Sequence, residues 1–278
     1  MGEPMEPVVV GVDGSAESMS ALDLAAEEAA SRVAPLAVVH VCDVPTTGRV
    51  DRPAAGRLLA VAVSRALAEH PALAVTAELP FGVPADALVE RARQATLLVV
   101  AHSPHCGART VRGRSVAHQV LSRAAGPVVV HHPLDLSGLD HQPRPVLVGV
   151  ACAPGDDAVL EFAFEEAALR GAPLRAAHIW PGWAYAVSRQ DWRDFASARD
   201  EADQVLVEAL RPWSEKYPQV AVHRLVRHGL DVPVSLVAAS RSAQLVVVGS
   251  RRPDESLLCV AQVLAHRAGC SAAVIPVD

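Results

Sequence analysis

Short runs of consecutive apolar residues alternate along the chain with longer stretches whose apolar positions recur every three or four residues. VVVGV at 8–12 is apolar on both faces, the pattern of a parallel strand covered on both sides. SAESMSALDLAAEEAASR follows, rich in Ala, Leu and Glu, with Met19, Leu22, Ala26, Ala29 and Val33 at helical spacing. The alternation continues with LAVVHV as a strand, RLLAVAVSRALAEH as a helix, LAVTAEL as a strand and ADALVERARQA as a helix. TLLVVA (strand), SVAHQVLSRAA (helix) and PVVVH (strand) complete it. Right-handed crossovers turn such a β-α-β series into a doubly wound parallel sheet, with ligands expected at the carboxyl ends of the strands.

The series is written twice. PVVVGV at 7–12 returns as PVLVGV at 145–150, and EEAASRVAPL at 27–36 as EEAALRGAPL at 165–174. His40 has a counterpart in His178, ALVERARQATLLVVAHS in SLVAASRSAQLVVVGSR, and SRAAGPVVV in HRAGCSAAVI. The order is kept throughout, so the pattern predicts two tandem domains, residues 1–133 and 144–278. The segment 134–143, with its prolines and polar residues, reads as a linker.

Composition narrows the partners. The chain has 278 residues, 51% of them hydrophobic and 20% charged, enough for packed cores. The net charge of −6 offers no footprint for a nucleic-acid backbone. Lys216 is the only lysine, an arginine bias that fits a GC-rich bacterial genome. No apolar run reaches the ~18–20 residues that span a bilayer, and MGEPMEP does not read as a signal peptide. The five cysteines include no CxxC, so neither a disulfide framework nor a zinc knuckle is expected. A cytoplasmic protein without membrane association is the expectation.

Across nearly its whole length the chain resembles the universal stress protein family in tandem form. VVVGVDGSAESMSALDLAAEEAA in the first copy and ASRSAQLVVVGSR in the second carry the resemblance, with Gly82 and Pro84 before the third helix and the closing AGPVVV and GCSAAVI strands. It implies a Rossmann-like α/β fold, akin to adenine nucleotide alpha hydrolases, with five strands in the order 3-2-1-4-5 in each copy. It also implies pairing of the two copies within the chain, with a homodimer as a further assembly. In the family's nucleotide-binding branch an Asp ends the first strand. The loop after the fourth reads Gly, two residues, Gly, nine residues, Gly, then Ser or Thr. Glycines let backbone N–H groups approach phosphate oxygens, and a hydroxyl at a helix start favours an anion.

Laid on the first copy, that motif places Ala101, Pro104 and Arg114 at the glycine positions and Ser115 at the hydroxyl position. The loop keeps the family's length and loses its motif glycines, while Gly107, Gly113, Arg109 and Arg112 remain nearby. The resemblance therefore makes Asp13, Gly14, Ser15, Val41, Ala101, Ser103, Gly107, Arg109, Gly113, Arg114 and Ser115 the candidate set for ATP or another adenine nucleotide. Arginine side chains would grip phosphate where relatives use backbone. A solvated basic loop that caps a helix is the other reading. In the second copy Ala151 stands in the Asp position, and Arg252, Asp254, Glu255, Leu258 and Cys259 occupy a shortened loop, so nucleotide binding there is not expected.

HSPHC, with His102, His105 and Cys106, lacks the partners of a four-ligand metal site, even with His131 and His132 nearby. Trp180, Trp183, Trp192 and Trp213 all lie in the second copy, three of them in WPGWAYAVSRQDWRDF, which reads as an insert packed over an emptied site or as a lid or partner surface. No GxSxG elbow is present, and no enzyme is expected. Three functions stay open: a stress-response binding module with an altered nucleotide site, a ligand-free scaffold for an unknown protein partner, and a weak ATPase.

Overall fold

In a computed structural model, the structure describes residues 5–42, 51–102, 115–133, 144–180, 189–229, 231–251 and 260–277. The chain divides into two compact units, residues 1–133 and 134–278.

Unit 1 runs β1 (Val8–Gly11), α1 (Ala16–Ser31), β2 (Leu36–Val39), α2 (Arg52–Glu69), β3 (Val75–Glu78), α3 (Pro84–Ala92), β4 (Leu97–Ala101), α4 (Val116–Leu121) and β5 (Val128–His131). Its strands are parallel and ordered β3-β2-β1-β4-β5, the order that the family resemblance implies. Helices α1 and α2 pack beside each other, as do α3 and α4, so apolar strands such as Val8–Val10 and Leu97–Val99 are fully covered.

Local chemistry sets the boundaries. Ser15 caps α1, its Oγ accepting from Ser18 N at 3.1 Å. Ala21, Leu22, Ala25 and Ala29 then form the fully buried stripe of that helix. Val33, expected on the same stripe, is instead 85% exposed, with φ of +56°, because the helix has ended and the chain turns there. Helix α2 starts five residues before the expected Arg57, at Arg52. Asp51 accepts from Ala54 N at 3.0 Å, and Pro53 sits in the first turn, where its missing N–H costs nothing.

Unit 2 repeats the plan: β6 (Val146–Gly149), α5 (Asp156–Leu169), β7 (Leu174–Trp180), α6 (Arg189–Lys216), β8 (Val222–His228), α7 (Val232–Ser240), β9 (Leu245–Arg251), α8 (Val260–Arg267) and β10 (Ser271–Val277). Its order is β8-β7-β6-β9-β10, again all parallel. Where α2 has 18 residues, α6 has 28, so the downstream part of the tryptophan-rich stretch is helical rather than loop. Residues 181–188 and the expected linker, 134–143, lie outside the described residues.

The repeated EEAA-x-R motif has a structural reason. Glu28 pairs with Arg32, and Glu166 with Arg170 at 2.9 Å, each one turn apart at the end of the first helix of its unit. Both carboxylates are buried, and removing one partner of such a pair strands a charge at a cost of about 3–5 kcal/mol.

Candidate functional site

Parallel register brings three candidate positions to one edge of unit 1. Gly11 lies opposite Val39 and Val10 opposite Val99, so the chain beyond β1 at Asp13 is flanked by Val41 beyond β2 and by the end of β4 at Ala101. His40 locks this edge: its Nδ1–H donates to the carbonyl of Val12 over 2.8 Å. His178 makes the same bond to Val150 at 2.9 Å in unit 2. The sequence paired these two histidines without indicating this role.

Asp13 and Ser15 form a single unit. The Ser15 backbone N–H and its hydroxyl both donate to Asp13 Oδ1, at 2.9 and 2.6 Å. Ser18 donates its hydroxyl to the Ser15 carbonyl at 3.0 Å and accepts from Asp13 N at 3.3 Å. Gly14 between them has φ of +87°, a conformation that calls for glycine. Partial burial raises the pKa of the Asp13 carboxyl, but the donors on Ser15 and Ser18 outweigh it and hold it below its ordinary value of 3.8. The result is an exposed, ionised acceptor at the carboxyl end of β1 with one oxygen already committed.

Ser115 caps α4, its Oγ accepting from His118 N at 3.2 Å. Ser103, Gly107, Arg109, Gly113 and Arg114 lie outside the described residues, as do Pro104, His105, Cys106 and Arg112. The structure therefore brings together Asp13, Gly14, Ser15, Val41 and Ala101, and places Ser115 at the start of α4. Histidines border this edge on the β5 side. The imidazoles of His102 and His132 stack at 4.4 Å with planes 16° apart. His131 Nε2 and Ser20 Oγ share a hydrogen bond of 2.8 Å. Burial pushes the His131 pKa below its ordinary 6.5, against the pull of Asp23. Among the described residues no group of three or more His, Cys, Asp or Glu could hold a metal ion.

The equivalent edge of unit 2 is built differently. Ala151 replaces Asp13, and Cys152 replaces Gly14 while keeping a left-handed backbone, with φ of +56°. Cys152 lines a cleft of about 340 Å³ with Asp156, Asp157, Leu160, Val205 and Glu208 among its walls. The Cys152 thiol lies 3.5 Å from His178 Nδ1, but that nitrogen carries the proton it gives to Val150 and cannot act as a base for the thiol. Burial and the Asp156 carboxylate push the Cys152 pKa up to about 11, so the thiol stays protonated. This pair is no activated nucleophile.

Further along β7, the ring of Trp180 packs on Phe195 of α6 and on His228 of β8, each at 5.3 Å. Sequence spacing could not show this cluster, because His228 meets Trp180 only through the register of β7 with β8. Trp183 lies outside the described residues, as does the side chain of Trp192.

The universal stress protein family model matches residues 5–132 and 143–276, and the chain belongs to that family. A universal stress protein of Mycobacterium tuberculosis strain H37Rv is 39% identical over 259 residues, covering 87% of this chain and 86% of its own. The crystal structure of a universal stress protein from Archaeoglobus fulgidus superposes with a TM-score of 0.68 at 16% identity, over 98% of this chain and 96% of that one. A universal stress protein solved in complex with cAMP is 30% identical over 47% of this chain and 99% of its own, with a TM-score of 0.39. No helix among the described residues is long and apolar enough to cross a membrane.

Proposed function

We propose that the chain is a cytoplasmic binding and regulatory module of the stress response, that unit 1 takes an adenine nucleotide in an altered site, and that it catalyses no reaction. The observation that carries this reading is the Asp13–Ser15 unit. It is an ionised acceptor, oriented by two donors, at the carboxyl end of the central strand. Parallel α/β sheets bind ligands at that edge. The free oxygen of Asp13 can accept from the hydroxyls or amino group of the nucleoside, and Val41 supplies an apolar wall beside it. In this reading the motif assigns the phosphate contacts to Arg109 and Arg114 in place of the family's glycines.

Unit 2 does not take ATP in this manner. Ala151 removes the acceptor, and Asp156, Asp157 and Glu208 line its cleft with negative charge.

The test is calorimetric titration of ATP into the full chain and into its Asp13→Ala variant. The reading expects saturable binding to the parent and loss of at least about tenfold in affinity in the variant, the weight of one charge-assisted hydrogen bond. Equal affinities would remove Asp13 from the site.

A ligand-free scaffold is the second reading, favoured by the pattern glycines missing from 101–115 and by the elongated α6 of unit 2. It expects no saturable ATP binding and a protein partner held through the tryptophan-bearing region.

A further inference from the structure

One outer face of the fold is charged in unit 1 and apolar in unit 2. Helices α3 and α7 span nine residues each at equivalent positions, and each packs on the next helix of its unit, α4 or α8. Residues buried in both units fix the correspondence, Leu88 with Leu236 and Val120 with Leu264. In unit 1, Arg123 of α4 reaches Asp86 of α3 at 2.6 Å, and Glu90 of α3 pairs with Arg93 at 3.3 Å. In unit 2 the positions of these two carboxylates hold Val234 and Ala238, and that of Gln119 holds Val263. Helix α7, VPVSLVAAS, bears no charge at all.

Both cations stay. Arg241 stands where unit 1 has Arg93, and Arg267 where it has Arg123. Both are exposed, and neither has an ion-pair partner among the described residues. Asp231 is committed at the start of α7, where it accepts from Val234 N at 2.9 Å. Val234 is 58% exposed, and Ala238 and Arg241 continue its side of the helix at one and two turns. A single exposed valine is ordinary on a protein surface. Carboxylates exchanged for apolar residues beside retained arginines are different: they suit a partner that brings the carboxylates itself.

Size and charge select that partner. Val234, Ala238 and Val263 together cover far less than the about 800 Å² per partner of a stable protein interface, and pairing two copies here would bring like charges together. The net charge of −6 opposes an anionic membrane. A single helix fits, because such a ligand is held by anchors three, four and seven residues apart. We propose that the α7–α8 face of unit 2 docks an acidic amphipathic helix of a protein partner, with its apolar stripe on Val234, Ala238 and Val263 and its carboxylates on Arg241 and Arg267. Val234, the neighbour of Arg267, and Arg241 are seven residues apart, about 10.5 Å along α7, so the partner's carboxylates stand about two turns apart. The surface does not depend on a nucleotide in unit 1.

The experiment selects a phage-displayed library of helical peptides on the full chain and measures the enriched peptides by fluorescence anisotropy. Enriched sequences are expected to share an apolar stripe flanked by Asp or Glu. Val234→Asp writes the residue of unit 1 into unit 2 at an exposed first-turn position that favours a carboxylate, so the variant should fold as the parent does. It is expected to weaken the peptides at least about tenfold, and Arg241→Glu to do the same. No enrichment, enriched peptides without carboxylates, or parental affinity in either variant would each overturn the proposal. So would binding to phosphatidylglycerol vesicles, or dimers in sedimentation velocity, that Val234→Asp abolishes: the face would then belong to a membrane or to a second copy.

Discussion

The hydroxyl of Ser15 donates to Asp13 Oδ1 over 2.6 Å while its oxygen accepts from Ser18 N over 3.1 Å, so one side chain both starts α1 and aims the candidate ligand acceptor. Fold and site are coupled at this residue. Ser15→Ala should therefore cost about 1 kcal/mol of stability as a lost helix cap. Ser15→Asp restores the cap but places a second carboxylate beside Asp13. Denaturant unfolding should show the alanine variant destabilised and the aspartate variant near the parent, with nucleotide binding impaired in both. Full nucleotide affinity in Ser15→Ala would show that Asp13 needs no orientation.

Val33 and Gly171 occupy equivalent positions of the two units, and both have φ of +56°. Glycine adopts this conformation freely; a β-branched residue does so under strain. Val33 is 85% exposed and gives up little packing on removal. Val33→Gly should stabilise unit 1 by about 0.5–1 kcal/mol, strain relief less the added freedom of the unfolded chain. The reverse change, Gly171→Val, should destabilise unit 2 by about 1–2 kcal/mol. Unfolding midpoints of the two variants moving in the same direction would contradict this account.

His131 introduces a pH dependence. Its pKa is lowered in the fold by burial, so below 6.5 the unfolded chain takes up a proton that the folded chain resists. Stability tied to this residue is intact above 6.5 and is lost as pH falls toward the lowered folded value. His131→Gln, which can still meet Ser20, should flatten the decline of unfolding free energy between about pH 7 and pH 5. Chemical denaturation at a series of pH values measures it, and an unchanged slope would assign the decline to other groups.

Cys152 should be a sluggish thiol despite its place on a cleft and its neighbour His178. With a pKa of about 11, only a small fraction is thiolate at neutral pH. Site-resolved alkylation by iodoacetamide, read by mass spectrometry, should be slow at pH 7 and should climb steeply toward alkaline pH. Fast labelling at pH 7 would mean that His178 gives its Nδ1 proton elsewhere.

Much of this was legible in the sequence. Runs such as VVVGV and PVLVGV marked the central strands and their repetition the tandem plan, while the strand order came from the family resemblance. EEAASR and EEAALR marked helix ends that proved to be buried ion pairs. Asp51 and Pro53 open α2 five residues before its apolar spacing begins, and Val33, which helical spacing places on a buried face, lies beyond the end of α1. What sequence spacing could not hold is tertiary register. Ser20 and His131 are 111 positions apart, and Trp180 finds His228 only across β7 and β8. The Asp13–Gly14–Ser15 site was recognised from its motif, but the hydrogen bonds that orient the carboxylate are features of the folded turn.

The central claim is that unit 1 keeps a working nucleotide site after losing the pattern glycines. Calorimetric titration of the purified chain with ATP tests it most directly, with any co-purified nucleotide identified by mass spectrometry. The account predicts micromolar binding near one site per chain. Silence up to millimolar ATP, with nothing co-purifying, would contradict it and leave a fold kept for contacts between proteins.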